Sequence, residues 1–304
     1  MTTLRLGTRA SLLATTQSQH VADAVAAASG ASVELVPITS AGDVLTGPLA
    51  QMGGTGVFAT ALRDALLREE CDFLVHSMKD LPTAAFPGIV VGAVPVRASQ
   101  RDVLCSRDGV PLADLPPGAR VGTGSPRRVA QVRSRRPDLV VEGIRGNVDS
   151  RLRKVYDGEF DAIVLAEAGL RRIGRDAAIT EILDWPTSAA QGALAVEARD
   201  GDADVLAAIG LIEDADTALA AHLERAVLRW LEAGCAAPVA IDAVVAPDAV
   251  TLVAVVHSED GTRAVRADRR LPHDIDIEAV SADVVAELFA GGAGDLADLA
   301  GTSR

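Results

Sequence analysis

Residues 73–83 read Phe-Leu-Val-His-Ser-Met-Lys-Asp-Leu-Pro-Thr, an apolar run that passes directly into His76, Ser77, Lys79 and Asp80 and is stopped by Pro82. A short apolar run ending in chemistry marks a strand of an open α/β sheet. Helices cover both faces of such a sheet, so ligands reach it only in the crevice beyond the carboxyl ends of its strands. Asp80 is therefore the first candidate for function. Lys79 is equally conspicuous, because the chain has 27 arginines and only two lysines, Lys79 and Lys154.

The surrounding sequence has the grammar this strand requires. Upstream, Leu4–Gly7 reads as a strand, Thr8, Arg9 and Ser11 follow it, and Ser11 stands where it can cap a helix running to about Ala28. Val33–Ile38 is a second strand. Gly53-Gly-Thr-Gly56 opens another helix, with Phe58, Leu62, Leu66 and Leu67 on one face, that delivers the chain to Phe73. These glycines lack the Gly-x-Gly-x-x-Gly spacing of a dinucleotide loop. Downstream, Ile89–Val94 is one more strand, and Pro95 with the polar run Arg97–Arg101 reads as a crossover into a new domain.

The grammar then restarts. Arg120-Val-Gly-Thr123 is a strand, Ser125-Pro126 a cap followed by proline at the first helical position, and Arg127-Arg128 fill the first turn. Leu139–Ile144 is the next strand, Arg145-Gly-Asn-Val-Asp-Ser-Arg151 enters a helix reaching Tyr156, and Asp161–Leu165 is another strand. Helix N-termini and guanidiniums gathered at strand ends make an anion-binding design, although a helix start in an arginine-rich chain is equally well a solvated one. Residues 97–175 hold 15 Arg and one Lys against 10 Asp and Glu, a net +6, inside a chain whose formal net charge is −13. The overall charge argues against nucleic-acid and anionic-membrane binding.

Beyond Ala193-Leu-Ala-Val-Glu197 a helix is predicted over Asp216–Ala233, ended by Gly234 and followed at once by Cys235. Val239–Leu271 alternates like antiparallel strands around a turn at Ser258-Glu-Asp-Gly261, and a last helix covers Ile277–Phe289. The three cysteines have no metal or redox spacing. Cys71 and Cys105 read as buried packing residues, and Cys235 as a thiol at a domain edge, open to attachment or nucleophilic roles. No export signal or membrane-spanning run is read, so the expectation is a cytoplasmic protein.

Taken together, the motifs resemble those of porphobilinogen deaminase, also called hydroxymethylbilane synthase. Thr8-Arg9-x-Ser11, Gly42-Asp43, His76-Ser-Met-Lys-Asp-Leu-Pro82, Gly122-Thr-x-Ser-x-Arg-Arg128, Arg145-Gly-Asn-Val-Asp-Ser-Arg151, Ala168-Gly-Leu, Gln191-Gly-Ala-Leu-Ala-Val-Glu197 and Glu232-Ala-Gly-Cys-Ala-Ala-Pro238 occur in that family's order. The resemblance implies an α/β chain of two doubly wound domains resembling type II periplasmic binding proteins, flanking a cleft, plus a smaller α+β C-terminal domain. The boundaries expected are 1–96 with 191–212, 97–190 and 213–304. It implies a monomeric transferase of tetrapyrrole and haem biosynthesis that joins four porphobilinogen molecules into hydroxymethylbilane with release of ammonia. A dipyrromethane cofactor would be held by a thioether to Cys235, Asp80 would be catalytic, and no metal is called for. Substrate and cofactor would be bound by Arg9, Ser11, Asp43, Ser77, Lys79, Thr123, Ser125, Arg127, Arg128, Arg145, Gly146, Arg151 and Arg172. The chain departs from the pattern at Gln51 and Thr55, where many relatives carry lysines, and at Ala190-Gln191-Gly192, where relatives commonly have Gly-Gln-Gly.

Overall fold

The computed structural model describes residues 3–38, 56–233 and 237–299. Asp43, Cys235, Gln51, Thr55 and Gly234 lie outside them. The chain divides into two compact units, Met1–Ala98 with Ala193–Leu219 and Ser99–Gly192 with Ala220–Arg304.

The first unit is built on a five-stranded sheet of β1 (Thr3–Thr8), β2 (Ser32–Pro37), β3 (Phe73–Ser77), β4 (Ile89–Ala93) and β10 (Leu194–Arg199), in the order β2-β1-β3-β10-β4. Successive side chains of a strand face opposite ways. Phe73 and Val75 thus join Leu4, Leu6 and Val196 in a core against α1 (Leu12–Ser29) and α6 (Ala203–Gly210), while Leu74 joins Leu62, Leu66 and Cys71 of the other face, beneath α2 (Gly56–Leu67). The α1 helix, expected to run to about Ala28, ends at Ser29, where Gly30 takes φ 72° and its N–H bonds to the Ala26 carbonyl. Gly7 has a packing reason, since a Cβ there would stand 2.7 Å from Cys71 Sγ.

The second unit repeats the plan with β5 (Asp102–Ser106), β6 (Arg120–Gly122), β7 (Val140–Glu142), β8 (Ala162–Ala166) and β9 (Glu181–Leu183), in the order β7-β6-β8-β5-β9. One face packs on α3 (Pro126–Arg135) through Leu104, Val121, Val132 and Val164. The other packs on α4 (Val148–Tyr156) and α5 (Glu167–Arg172) through Val103, Leu152, Ile163 and Leu170. The same unit holds a three-stranded antiparallel sheet of β11 (Val239–Ala246), β12 (Ala249–His257) and β13 (Ala264–Leu271), with α8 (Ile277–Ala290) beside it. The bend at Ser258–Gly261 lies where the sequence places it, closed by the Gly261 N–H on the Ser258 carbonyl.

Three features differ from the sequence reading. Each large sheet carries one reversed strand: β10 is antiparallel to β3 and β4, and β5 to β8 and β9. Each reversed strand is the first one the chain forms on passing from one unit to the other, β5 after Ala98 and β10 after Gly192, so no helix within its own unit leads directly into it. The strand predicted over Leu139–Ile144 shortens to Val140–Glu142. Helix α7 (Ala215–Trp230) stops before Gly234, with Glu232 in the left-handed region at φ 46°.

Candidate functional site

In the first unit, the carboxyl ends of β1 and β3 carry the predicted residues. Thr8 is buried and its hydroxyl accepts from Ser18 Oγ of α1 at 2.8 Å, fixing the strand-to-helix corner that presents Arg9 and Ser11. Ser11 occupies the N-cap position with extended backbone, yet its hydroxyl makes no capping bond. From Ser77 the chain enters a 3-10 turn, Met78–Asp80. Met78 is 1% exposed and its N–H bonds to the Ala193 carbonyl at 3.0 Å, so the turn is pinned inward at its first residue. Lys79 is left half-buried and Asp80 exposed. Ser77 Oγ accepts from Gln17 Nε2 at 3.0 Å.

Behind this turn lies an ion network that sequence reasoning missed. Glu197 on β10 is 2% exposed and accepts from Arg63 Nε at 2.9 Å and Nη2 at 2.5 Å, with His76 Nε2 at 3.3 Å. Arg63 also lies over the Phe86 ring, 4.9 Å from its centroid. Burial alone would raise the Glu197 carboxyl, but the Arg63 hydrogen bonds and the nearness of His76 bring it down to about 2.

In the second unit, the carboxyl ends of β6, β7 and β8 lead to the arginines. Thr123 is buried and its hydroxyl accepts the Ser125 N–H at 3.2 Å, shaping the bend into α3. Pro126 is the first helical residue, and Ser125 is the N-cap without a side-chain capping bond. Asn147 caps α4, accepting from the Ser150 N–H at 2.8 Å. Before it, Gly146 stands at φ +110°, where a Cβ would meet Ser150 Oγ at 2.1 Å, so only glycine fits. Arg145 is exposed at this turn.

The four remaining arginines fall into two kinds. Arg127 and Arg128, which the residues alone leave open between an anion site and a solvated helix start and which the resemblance assigns to substrate and cofactor, are buried. Both pair with Asp102, the first residue of β5, at 2.7 Å. The same carboxylate, fully enclosed, also accepts from Trp185 Nε1 at 2.9 Å and Gln191 Nε2 at 2.8 Å. Burial works to raise the Asp102 carboxyl, and the two guanidiniums override it, holding it far below the usual carboxylate range. Asp102 escaped the sequence reading, although a charged residue opening the buried run Asp102-Val-Leu-Cys105 signals a partner, since buried charges persist only when paired.

Arg151 and Arg172 are the second kind, half-buried guanidiniums whose hydrogen bonds go to carbonyls. Arg151 Nε donates to the Gly146 carbonyl at 2.8 Å, and Arg172 Nη2 to the Gly192 carbonyl at 2.7 Å. Neither has a carboxylate partner among the described residues. Burial lowers both, Arg172 to about 10, and the charge of Arg128 lowers Arg151 further. Partly desolvated cations in this condition gain from an arriving anion. Cys71 and Cys105 are buried, as the sequence indicates, and burial pushes their thiols up to about 11 and about 12.

Against known proteins, the profile described as porphobilinogen deaminase, dipyromethane cofactor binding domain, matches residues 4–207, and that of the porphobilinogen deaminase C-terminal domain matches residues 218–288. The chain is 51% identical to the porphobilinogen deaminase of Leifsonia xyli over 98% of its own length and 95% of the relative's. It is 49% identical to that of Thermobifida fusca, over 95% and 98%. Among solved structures, the VFT2 domain of Bordetella pertussis BvgS matches 69% of this chain and 86% of its own, at 16% identity and a TM-score of 0.42.

Proposed function

The chain belongs to the porphobilinogen deaminase family, and from that premise we propose that it deaminates four porphobilinogen molecules and joins them head to tail into hydroxymethylbilane, as a transferase of tetrapyrrole biosynthesis. The likeness that carries this reading runs over nearly the whole chain and its relatives.

The residues supply the chemistry such a reaction needs. Ammonia leaves the aminomethyl carbon only after that nitrogen is protonated, and its departure leaves an electron-poor methylene-pyrrole cation. Once the new carbon–carbon bond has formed, the attacked ring carbon sheds a proton. A single carboxylate beside the ring nitrogens stabilises the cation and carries protons in both directions. Asp80 is our candidate: it is exposed, it has no hydrogen-bond or ion-pair partner among the described residues, and it stands on a turn pinned by Met78.

Porphobilinogen bears acetate and propionate groups, and arginine holds carboxylates bidentately. Arg145, Arg151 and Arg172 take this role in the second unit, with Thr123, Ser125 and Gly146 shaping their turns. Arg9, Ser11, Ser77 and Lys79 serve at the Asp80 edge. Arg127 and Arg128, engaged by Asp102, contribute positive charge from beneath. The dipyrromethane cofactor, when bound through Cys235, supplies the primer pyrroles to which substrate is added. Arg151 and Arg172 fit its carboxylates, being cations pressed by burial and lacking a carboxylate of their own among the described residues. Asp43 completes the set. A division into three domains, a monomeric state and a cytoplasmic location belong to the same proposal. Among the described residues no helix is long and apolar enough to cross a membrane.

Intact mass of the purified protein beside a Cys235→Ser variant tests the reading. An excess equal to two linked pyrrole units, present only with Cys235, is expected. A protein that stays unmodified after incubation with porphobilinogen overturns it.

A further inference from the structure

Between β9 and β10 the chain runs from Trp185 to Gly192 without helix or strand, and this strap accepts hydrogen bonds from the guanidiniums of Arg127, Arg128 and Arg172. The Pro186 carbonyl accepts from Arg127 Nη1 at 3.3 Å, Gln191 Oε1 from Arg128 Nη2 at 3.3 Å, and the Gly192 carbonyl from Arg172 Nη2 at 2.7 Å. Arg127 and Arg128 share the single charge of Asp102, whereas the uncharged Gly192 carbonyl aims Arg172 without neutralising it, so that positive charge stays available for an anion.

The strap is itself held by two buried carboxylates. Asp102 takes Trp185 Nε1 and Gln191 Nε2. Glu224 of α7, 0% exposed, accepts the Ala190 N–H at 2.5 Å on one oxygen and the Ala243 N–H of β11 at 2.7 Å on the other. Ala190 is also fully buried and stands at φ 58°, the left-handed region that strains a non-glycine residue. A buried carboxylate is thus spent on holding a strained backbone whose neighbours, Gln191 and Gly192, orient Arg128 and Arg172.

Resting on the function proposed above, we propose that the Trp185–Gly192 strap is the positioning element of the guanidinium cluster and that Glu224 is its positioning residue. Glutamine at 224 offers only one acceptor oxygen and turns an N–H₂ toward an N–H, so one of the two bonds fails. In the holoenzyme, Glu224→Gln is expected to raise KM for porphobilinogen about tenfold, with kcat within about twofold of the parent. It is also expected to lower the fraction of purified protein carrying the dipyrromethane mass. Adding Ala190→Gly, which accepts the left-handed backbone unaided, is expected to restore most of both losses.

A folded Glu224→Gln protein with parental KM and full loading overturns the proposal. So does a loss confined to kcat, or a loss that Ala190→Gly leaves untouched. Should Glu224→Gln give no folded protein, Gln191→Met carries the test with the same expected rise in KM, and an unchanged KM overturns it. If the parent itself neither carries the pyrrole mass nor forms hydroxymethylbilane, the functional reading falls. If the parent does both and the variants match it, only the role of the strap falls.

Discussion

The role proposed for Asp80 rests on what its neighbours do not ask of it. Met78 and Ser77 are fixed to Ala193 and Gln17, so the turn holds its shape without the Asp80 carboxylate. Replacing that carboxylate by an amide should leave the fold intact while removing the charge proposed to answer the developing cation. Asp80→Asn is expected to lower the rate of hydroxymethylbilane formation by about a hundredfold or more with an unchanged melting temperature; a near-parental rate would end its assignment. The exposed position of Asp80 after a strand was legible because it follows an apolar run. Asp102, Glu197 and Glu224 were not. Each sits within a stretch that reads as ordinary strand or helix, and its partners lie far off in sequence, 134 residues away for Arg63 and Glu197, where no local pattern reaches.

At the scale of elements, helices with a chemical start signal were the most legible. Pro126 opens α3, and Asn147 and Asp276 cap α4 and α8 with their side chains. Strand direction was not legible, because a period of two says nothing about which way a strand runs. The three-residue β9 is too short to show a period at all. The turn from β7 into α4 joins element to site: Gly146 is confined to glycine by Ser150, and its carbonyl anchors Arg151. Gly146→Ala is expected to cost about 1–3 kcal/mol of stability and to raise KM for porphobilinogen, read by thermal melting and steady-state kinetics. An unchanged KM alongside a lowered melting temperature would separate the turn from binding.

For the molecule as a whole, the buried ion networks set the response to acid. Glu197 has an ordinary carboxyl value of 4.5 and falls to about 2 in the folded chain. A group depressed in this way adds stability that is complete above its unfolded value and disappears as pH falls through the folded one. The loss should therefore run from about pH 5 down to pH 2 and amount to about 3 kcal/mol. Urea unfolding across that window should be steeper in pH for the parent than for Glu197→Gln, and parallel curves would show that the network adds nothing.

The reversed strands also bear on how the chain is made. In the first sheet β10 lies between β3 and β4, so β4 finds no place until residues 194–199 have left the ribosome, about a hundred residues after its own. At a synthesis rate of roughly 5–20 residues per second, that interval is on the order of 5–20 s. Throughout it the nascent β3 keeps an open edge, a natural place for a chaperone to wait.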